Sequence, residues 1–196
     1  MGKRLIVSFL FVLLAATFAI SQETYVVDPA HTNVGFSAKH LVISTVSGRF
    51  KDFTGTIVFD DKNISNSSVN GTIQSASLDT GNADRDKHLK SADFFDVEKF
   101  PEITFKSTKV EKSGDGAKVT GLLTIRGVTK EVSFPATVIG PIKDPWGNMK
   151  IGVSAGPLTI NRQDYGVSWS KKMDSGGLVV SDEIKIQIDA EAAAKK

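Results

Sequence analysis

Ile184, Ile186 and Ile188 alternate with Lys185, Gln187 and Asp189, and this two-residue rhythm constrains the fold of the chain more than any other feature. Successive side chains of a strand point to opposite faces, so such a segment has one apolar face and one wet face. Val132, Phe134, Ala136 and Val138 repeat the pattern against Glu131, Ser133, Pro135 and Thr137. Short clusters of Gly, Asn, Asp, Ser or Pro punctuate the chain and predict eight strands. They lie near Asn33 to Leu41, Val46 to Phe59, Ser68 to Leu78, Glu102 to Val110, Ala117 to Arg126, Lys130 to Gly140, Met149 to Ile160 and Leu178 to Ala190. One covered face and one solvated face is the signature of antiparallel sheets.

Such strands bury their apolar faces either by stacking two sheets or by rolling one sheet into a barrel, and periodicity leaves both open. The strand count favours the barrel, because eight strands enclose a bore that side chains can fill or one slim ligand can occupy. A strand of ten residues spans ~33 Å, so that bore would be long as well as narrow. Gly35, Gly48, Gly55, Gly71, Gly121 and Gly152 lie in or beside strands, where curvature or a close backbone approach is relieved. The expected class is all-β: an extended eight-stranded antiparallel barrel with one short helix near its mouth. A packed β-sandwich is the alternative.

The helix is expected from Arg85 to Phe95. Leu89, Ala92 and Phe95 recur three to four residues apart among charges, and Pro101 stops any helix before Ile103 and Phe105 resume the alternation. This helix reads as a lid. Asp84 and Asp86 could form a carboxylate pair for acid/base work, but acidic residues in a first turn also complement the helix dipole, and no catalytic partner is visible.

Residues 1 to 21 read as a cleaved secretory signal. Lys3 and Arg4 precede an apolar run from Leu5 to Phe18, and Ala19 and Ser21 occupy small-residue positions before Gln22. The run is shorter than the ~20 residues a spanning helix needs, so stable membrane insertion is not expected. Residues 22 to 196 then form a single domain, periplasmic or secreted. Without Lys3 and Arg4 the 24 basic residues become 22, against 22 acidic ones, and the mature chain is formally neutral. A chain so balanced offers no basic stripe for nucleic acid. With no Cys, its core must supply stability without disulfides.

Catalytic and metal chemistry leave little trace. His31 lies in a turn after Asp28-Pro29, His40 closes the first strand on the face of Val34, Phe36 and Ala38, and His88 lies on the helix. These three have no local metal-ligand spacing, and no nucleophile elbow occurs, so no catalytic residue, metal or cofactor is expected. Gly114/Gly116 and Gly176/Gly177 lack the context of a phosphate loop and read as turns. The sequons at Asn63, Asn66 and Asn70 fall in DDKNISNSSVNG, which reads as a strand connection rich in turn formers.

The segment R-D-x-H-L-x-S-x-D-F-F-D from Arg85, followed by F-P-x-x-x-F from Phe100, closely resembles the signature of the YceI-like family. Y-V-V-D-P-A-H-T-N-V-G-F-S-A-K-H from Tyr25, F-x-D-F-x-G-T-I-x-F-D from Phe50, L-T-I-R-G-V-T-K-E-V from Leu123 and I-N-R-Q-D-Y-G-V-S-W from Ile160 look like further family blocks in family order. The resemblance covers nearly the whole mature chain. It implies a lipocalin-like barrel whose bore holds a long-chain amphiphile, such as a polyisoprenoid phosphate, a quinone precursor or a fatty-acid derivative. It also implies a periplasmic or secreted lipid carrier rather than an enzyme.

By alternation, the residues assigned to the apolar bore are Val34, Phe36, Ala38, Ile103, Phe105, Leu123, Ile125, Phe134, Ala136, Val153, Ile184 and Ile186. A dry tube cannot hold a polar headgroup, so the headgroup should sit where charged loops converge. Arg85, His88, Arg162 and Asp164 are the candidates, with a structural Arg162–Asp164 pair near Tyr165 as the alternative. A lipid carrier needs a hollow bore, a hydrolase needs convergent polar groups inside it, and an interaction protein needs a packed core with an exposed apolar patch. The sequence leaves open the ligand and whether the chain works alone or as a dimer.

Overall fold

The computed structural model describes residues 22–174 and 176–195. The expected signal segment lies outside the described residues. The strands are β1 (Gln22–Val27), β2 (Asn33–His40), β3 (Ser44–Phe50), β4 (Phe53–Asp60), β5 (Ser68–Gln74), β6 (Leu78–Asp79), β7 (Glu102–Ser113), β8 (Gly116–Ile125), β9 (Val128–Lys143), β10 (Met149–Asn161) and β11 (Val180–Ala194). The α-helix among the described residues, α1, spans Ala83–Lys90. No helix among the described residues is long and apolar enough to cross a membrane.

All pairings are antiparallel, and the sheet closes on itself because β11 pairs with β1 through Val27↔Ala192 and with β2 through Phe36↔Ile186. The eleven strands make eight staves, since three pairs of short strands each form one bent stave. β1 and β2 run together past β4 and β3, with Tyr25↔Ile57 and Phe36↔Gly48 in register. β5 and β6 likewise continue each other beside β4 and β3. The result is the closed eight-stranded antiparallel barrel that alternation and strand count predict.

The segments expected from Val46 to Phe59 and from Ser68 to Leu78 are broken where the wall bends. At the bend Gln74 N–H donates to Asp52 C=O at 2.9 Å and Ser75 N–H donates to Pro101 C=O at 2.8 Å. The Ser75 hydroxyl is buried and donates to Phe100 C=O at 2.7 Å. β1 was not among the expected strands, and β9 runs beyond the expected Gly140 to Lys143.

Two bulges keep the apolar face inward along strands that would otherwise lose phase. The β7–β8 register shifts between Ser107 and Lys109, so the inward set Ile103 and Phe105 is followed by Val110. The β10–β11 register shifts between Ala155 and Leu158, carrying the inward face from Ile151, Val153 and Ala155 to Leu158 and Ile160. An extra residue resets which side chains face the core.

The helix is shorter than its sequence suggests. Asn82 caps it by accepting from Arg85 N–H at 3.0 Å, and Asp84 and Asp86 sit in the first turn. It ends at Lys90 rather than Phe95, because the Ser91 hydroxyl donates to His88 C=O at 2.7 Å and Asp96 adopts φ 49°. A tight turn over 91–96 then buries Phe94 and leaves Ala92 exposed.

Candidate functional site

The barrel encloses an apolar cavity of about 670 Å³, within the range of ordinary small-molecule sites. Its wall contains all twelve residues assigned to the bore from alternation: Val34, Phe36, Ala38, Ile103, Phe105, Leu123, Ile125, Phe134, Ala136, Val153, Ile184 and Ile186. Several of them, including Phe36, Phe105, Phe134, Ile184 and Ile186, point inward and are still only partly buried. In a close-packed interior such side chains would touch neighbours on all sides. Here their remaining surface faces the cavity.

Glycine makes room for the larger rings. A Cβ on Gly121 would lie 2.5 Å from Phe105 Cζ, and one on Gly48 would lie 2.5 Å from Phe36 Cζ. Both rings therefore occupy the space that a side chain on the glycine would fill. Phe105 also meets Phe134 at 5.4 Å between centroids, and Phe36 meets Phe50 at 5.4 Å.

The two ends of the barrel differ. At the end formed by the start of β1 and the close of β11, Tyr25, Ile151 and Ala192 are fully buried and pack with Phe59 as a plug. At the other end the cavity reaches Lys39, His40, Thr80, Asp84, Arg85, His88 and Trp169. His88, Phe94 and Trp169 form a ring cluster there, with His88 edge-on to both partners at 5.0 and 5.3 Å. Asp93 holds the other side of His88, Oδ2 to Nε2, at 2.9 Å.

The four headgroup candidates separate. Arg85 and His88 reach the rim of the cavity. Arg85 donates from Nε to the Thr80 hydroxyl at 2.7 Å and from Nη2 to Thr80 C=O at 2.9 Å. Its Nη1 makes no hydrogen bond among the described residues. Arg162 also touches the cavity, but its donors are committed to protein. It donates to the carbonyls of Ser181, Val167 and Trp169 and to the Asp182 carboxylate, all within 2.9 Å. Burial pulls its pKa below the ordinary value, with Asp182 opposing that pull. Asp164 does not line the cavity: it is exposed and pairs with Lys130 at 3.6 Å. The 3-10 turn Arg162–Tyr165 sends the two side chains apart, so Arg162 takes Asp182 as its partner instead of Asp164.

Lys39, His40, Leu158 and Trp169 are among the further wall residues that were not expected at the site. For His40 the signal was present, since it continues the face of Val34, Phe36 and Ala38. Away from the bore, Asp28, His31 and Glu191 bring ligand-type atoms within 4.8 Å of one another, a convergence with no local sign in the sequence. Each already has a protein partner. Asp28 accepts from Ala30 N–H and pairs with His31 at 2.9 Å, which holds its carboxyl below the usual range, while Glu191 pairs with Lys150.

A closed eight-stranded antiparallel barrel with a continuous apolar cavity and a charged rim at one end defines a lipocalin-like class of fold. The YceI-like domain model matches residues 25–192, and the chain belongs to that family. Protein YceI of Salmonella newport is 41% identical over 198 residues, covering 100% of both chains. Among solved structures, the YceI protein of Campylobacter jejuni is 40% identical with a TM-score of 0.69, over 86% of this chain and 96% of that one. A polyisoprenoid binding domain from Saccharophagus degradans, implicated in plant cell wall breakdown, shares the fold with a TM-score of 0.61 at 15% identity, over 87% of this chain and 98% of that one.

Proposed function

We propose that the protein is a carrier that holds one long-chain amphiphile, tail in the bore and polar end at the Arg85–His88 rim. The observation that carries this reading is the set of inward apolar side chains that stay partly exposed to a continuous cavity. Each methylene moved from water into that space contributes ~0.8 kcal/mol, so a long chain gains far more from the wall than from any headgroup contact. Isoprenoid and fatty-acyl chains both meet this demand.

The rim sets the preferred headgroup. Lys39, Arg85 and two imidazoles stand there with the exposed carboxylates Asp84 and Asp93, the second of them paired with His88. Arg85 is oriented by Thr80 and retains free donors, which suits a phosphate or carboxylate. Among the described residues the wall offers no buried nucleophile beside a base, which supports binding rather than catalysis. The basic and apolar start of the chain supports export to the periplasm or beyond it.

The test is native mass spectrometry of protein purified from its own host without delipidation, followed by organic extraction. One long-chain amphiphile per barrel is expected. Ala136→Trp, which places a large ring in the cavity, should abolish binding of an isoprenyl or fatty-acyl probe to the delipidated protein. Arg85→Lys should weaken a polyprenyl phosphate more than the corresponding alcohol. Empty protein that takes up neither probe would refute the carrier reading.

A further inference from the structure

We infer that the β2–β3 tip and the adjacent hairpin, which sets 171–173 beside 177–179, form a docking face for an anionic bilayer at the cavity mouth. Ile43 is 85% exposed and Val42 66% exposed, although both are large aliphatic residues. The backbone works to present them. Leu41 and Val42 adopt φ 51° and 66°, a left-handed conformation that a β-branched residue rarely accepts. Strain of this kind persists only where the surroundings hold it, and it concentrates at functional positions.

The surroundings are visible. Leu41 N–H donates to Val179 C=O at 2.9 Å and ties the β2–β3 tip to the second hairpin, which the Lys172–Leu178 bridge closes on itself. The contact is close enough that a Cβ on Gly177 would lie 3.2 Å from Val42 Cγ2. Both hairpins rise from residues that line the cavity, His40 on one and Val179 on the other.

Charge selects the partner. Within the two hairpins Lys39, Lys171 and Lys172 are exposed against one exposed carboxylate, Asp174, in a mature chain with no net charge. Asp182 is held by Arg162. An aliphatic tip ringed by lysines fits a surface that is apolar beneath and negative above, the boundary of a bilayer containing anionic lipid. A tip seated there would bring the bore mouth to the lipid. That reason for docking rests on the carrier reading, whereas the contact itself does not.

A second exposed apolar group, Trp146 with Ile139 and Ile142, supplies an internal control. It lies at the far end of β9 and β10, beside the plugged floor rather than the mouth. Flotation of the mature protein with vesicles of phosphatidylcholine alone or with about a third phosphatidylglycerol tests the proposal. Binding is expected only with the anionic vesicles, weakening as salt rises. Val42→Ser with Ile43→Ser should reduce it on the order of tenfold or more, and Lys171→Glu with Lys172→Glu should reduce it similarly and flatten the salt dependence. Trp146→Ser should leave it unchanged, with circular dichroism confirming that every variant folds.

No binding by the wild type, no effect of the tip substitutions, or an equal loss in Trp146→Ser would overturn the proposal. So would tip variants whose only effect in sedimentation is to separate copies of the chain. Vesicle binding by protein that never carries a chain would sink the carrier reading and leave the docking face standing. Cargo without vesicle binding would do the reverse.

Discussion

Arg162 and Asp182 lie twenty residues apart in sequence and 2.8 Å apart in space, yet Arg162 is 4% exposed and Asp182 38%. The burial is unequal, so the pair is less an ion pair than a guanidinium used to gather three backbone carbonyls, with a carboxylate at its open side. Removing Arg162 leaves those carbonyls short of donors, whereas removing Asp182 exposes a group that water already reaches.

Arg162→Ala should therefore destabilise the fold by roughly 2–4 kcal/mol, from lost charge-assisted hydrogen bonds and unsatisfied acceptors. Asp182→Ala should cost less than about 1 kcal/mol, as for a half-exposed pair. Urea denaturation of the two variants measures the difference. Equal losses would show that the charge pair, not the carbonyl gathering, is what matters.

Ile151 and Ile186 offer the same substitution in two environments. Ile151 is 1% exposed in the plug, whereas Ile186 is partly open to the cavity. In ligand-free protein Ile151→Ala should cost the ~2–5 kcal/mol typical of a packed site, and Ile186→Ala distinctly less, because much of its surface has no protein contact to lose. Saturating the protein with a long-chain ligand should narrow that gap, since the ligand supplies the missing contacts.

Arg126 clasps the turn after α1 to the barrel. Its Nη2 donates to Ala92 C=O at 2.8 Å and its Nη1 to Gly166 C=O, joining the turn after α1 to the turn after β10. Arg126→Ala should raise amide hydrogen exchange over residues 91–97 while leaving β8 and β9 protected. Uniform loss of protection across the barrel would instead make Arg126 a general stability residue.

Tyr25 gives the plug an alkaline limit. Burial, followed by its hydrogen bond to Glu23 at 2.7 Å, pushes its pKa up from 10.0 to about 12. The folded state thus holds the proton more tightly than the unfolded state. Its contribution is complete below pH 10 and falls away as pH rises from 10 toward about 12. Melting temperatures across that window should drop more steeply for wild type than for Tyr25→Phe.

Much of the barrel could be read from residue order because strand faces depend on local alternation, which Ile184, Ile186 and Ile188 display without interruption. The bends could not. Nothing between Val46 and Phe59 marks Lys51–Asp52 as a break, because the break is bonded by Gln74 and Ser77, which arrive from elsewhere in the fold. The helix ended early for a similar reason: Leu89, Ala92 and Phe95 keep helical spacing, but Ser91 turns back to His88. At the site, the wall followed alternation while the polar rim did not. Arg162 and Asp164 look paired at two residues' separation, and only the 3-10 turn between them shows that they face different surroundings.

The plug of Tyr25, Ile151 and Ala192 gives the barrel a bottom, and a tube with a bottom is a gauge. Along β11 the cavity wall runs from Val180 to Ala190, about 33 Å of strand at ~3.3 Å per residue. On the proposed carrier reading, an acyl or prenyl tail entering from the α1 end would stop at that floor, and any carbon beyond its depth would be left outside in water. Chain length would then be sorted by depth alone, and every cargo would have to leave by the way it came, head first.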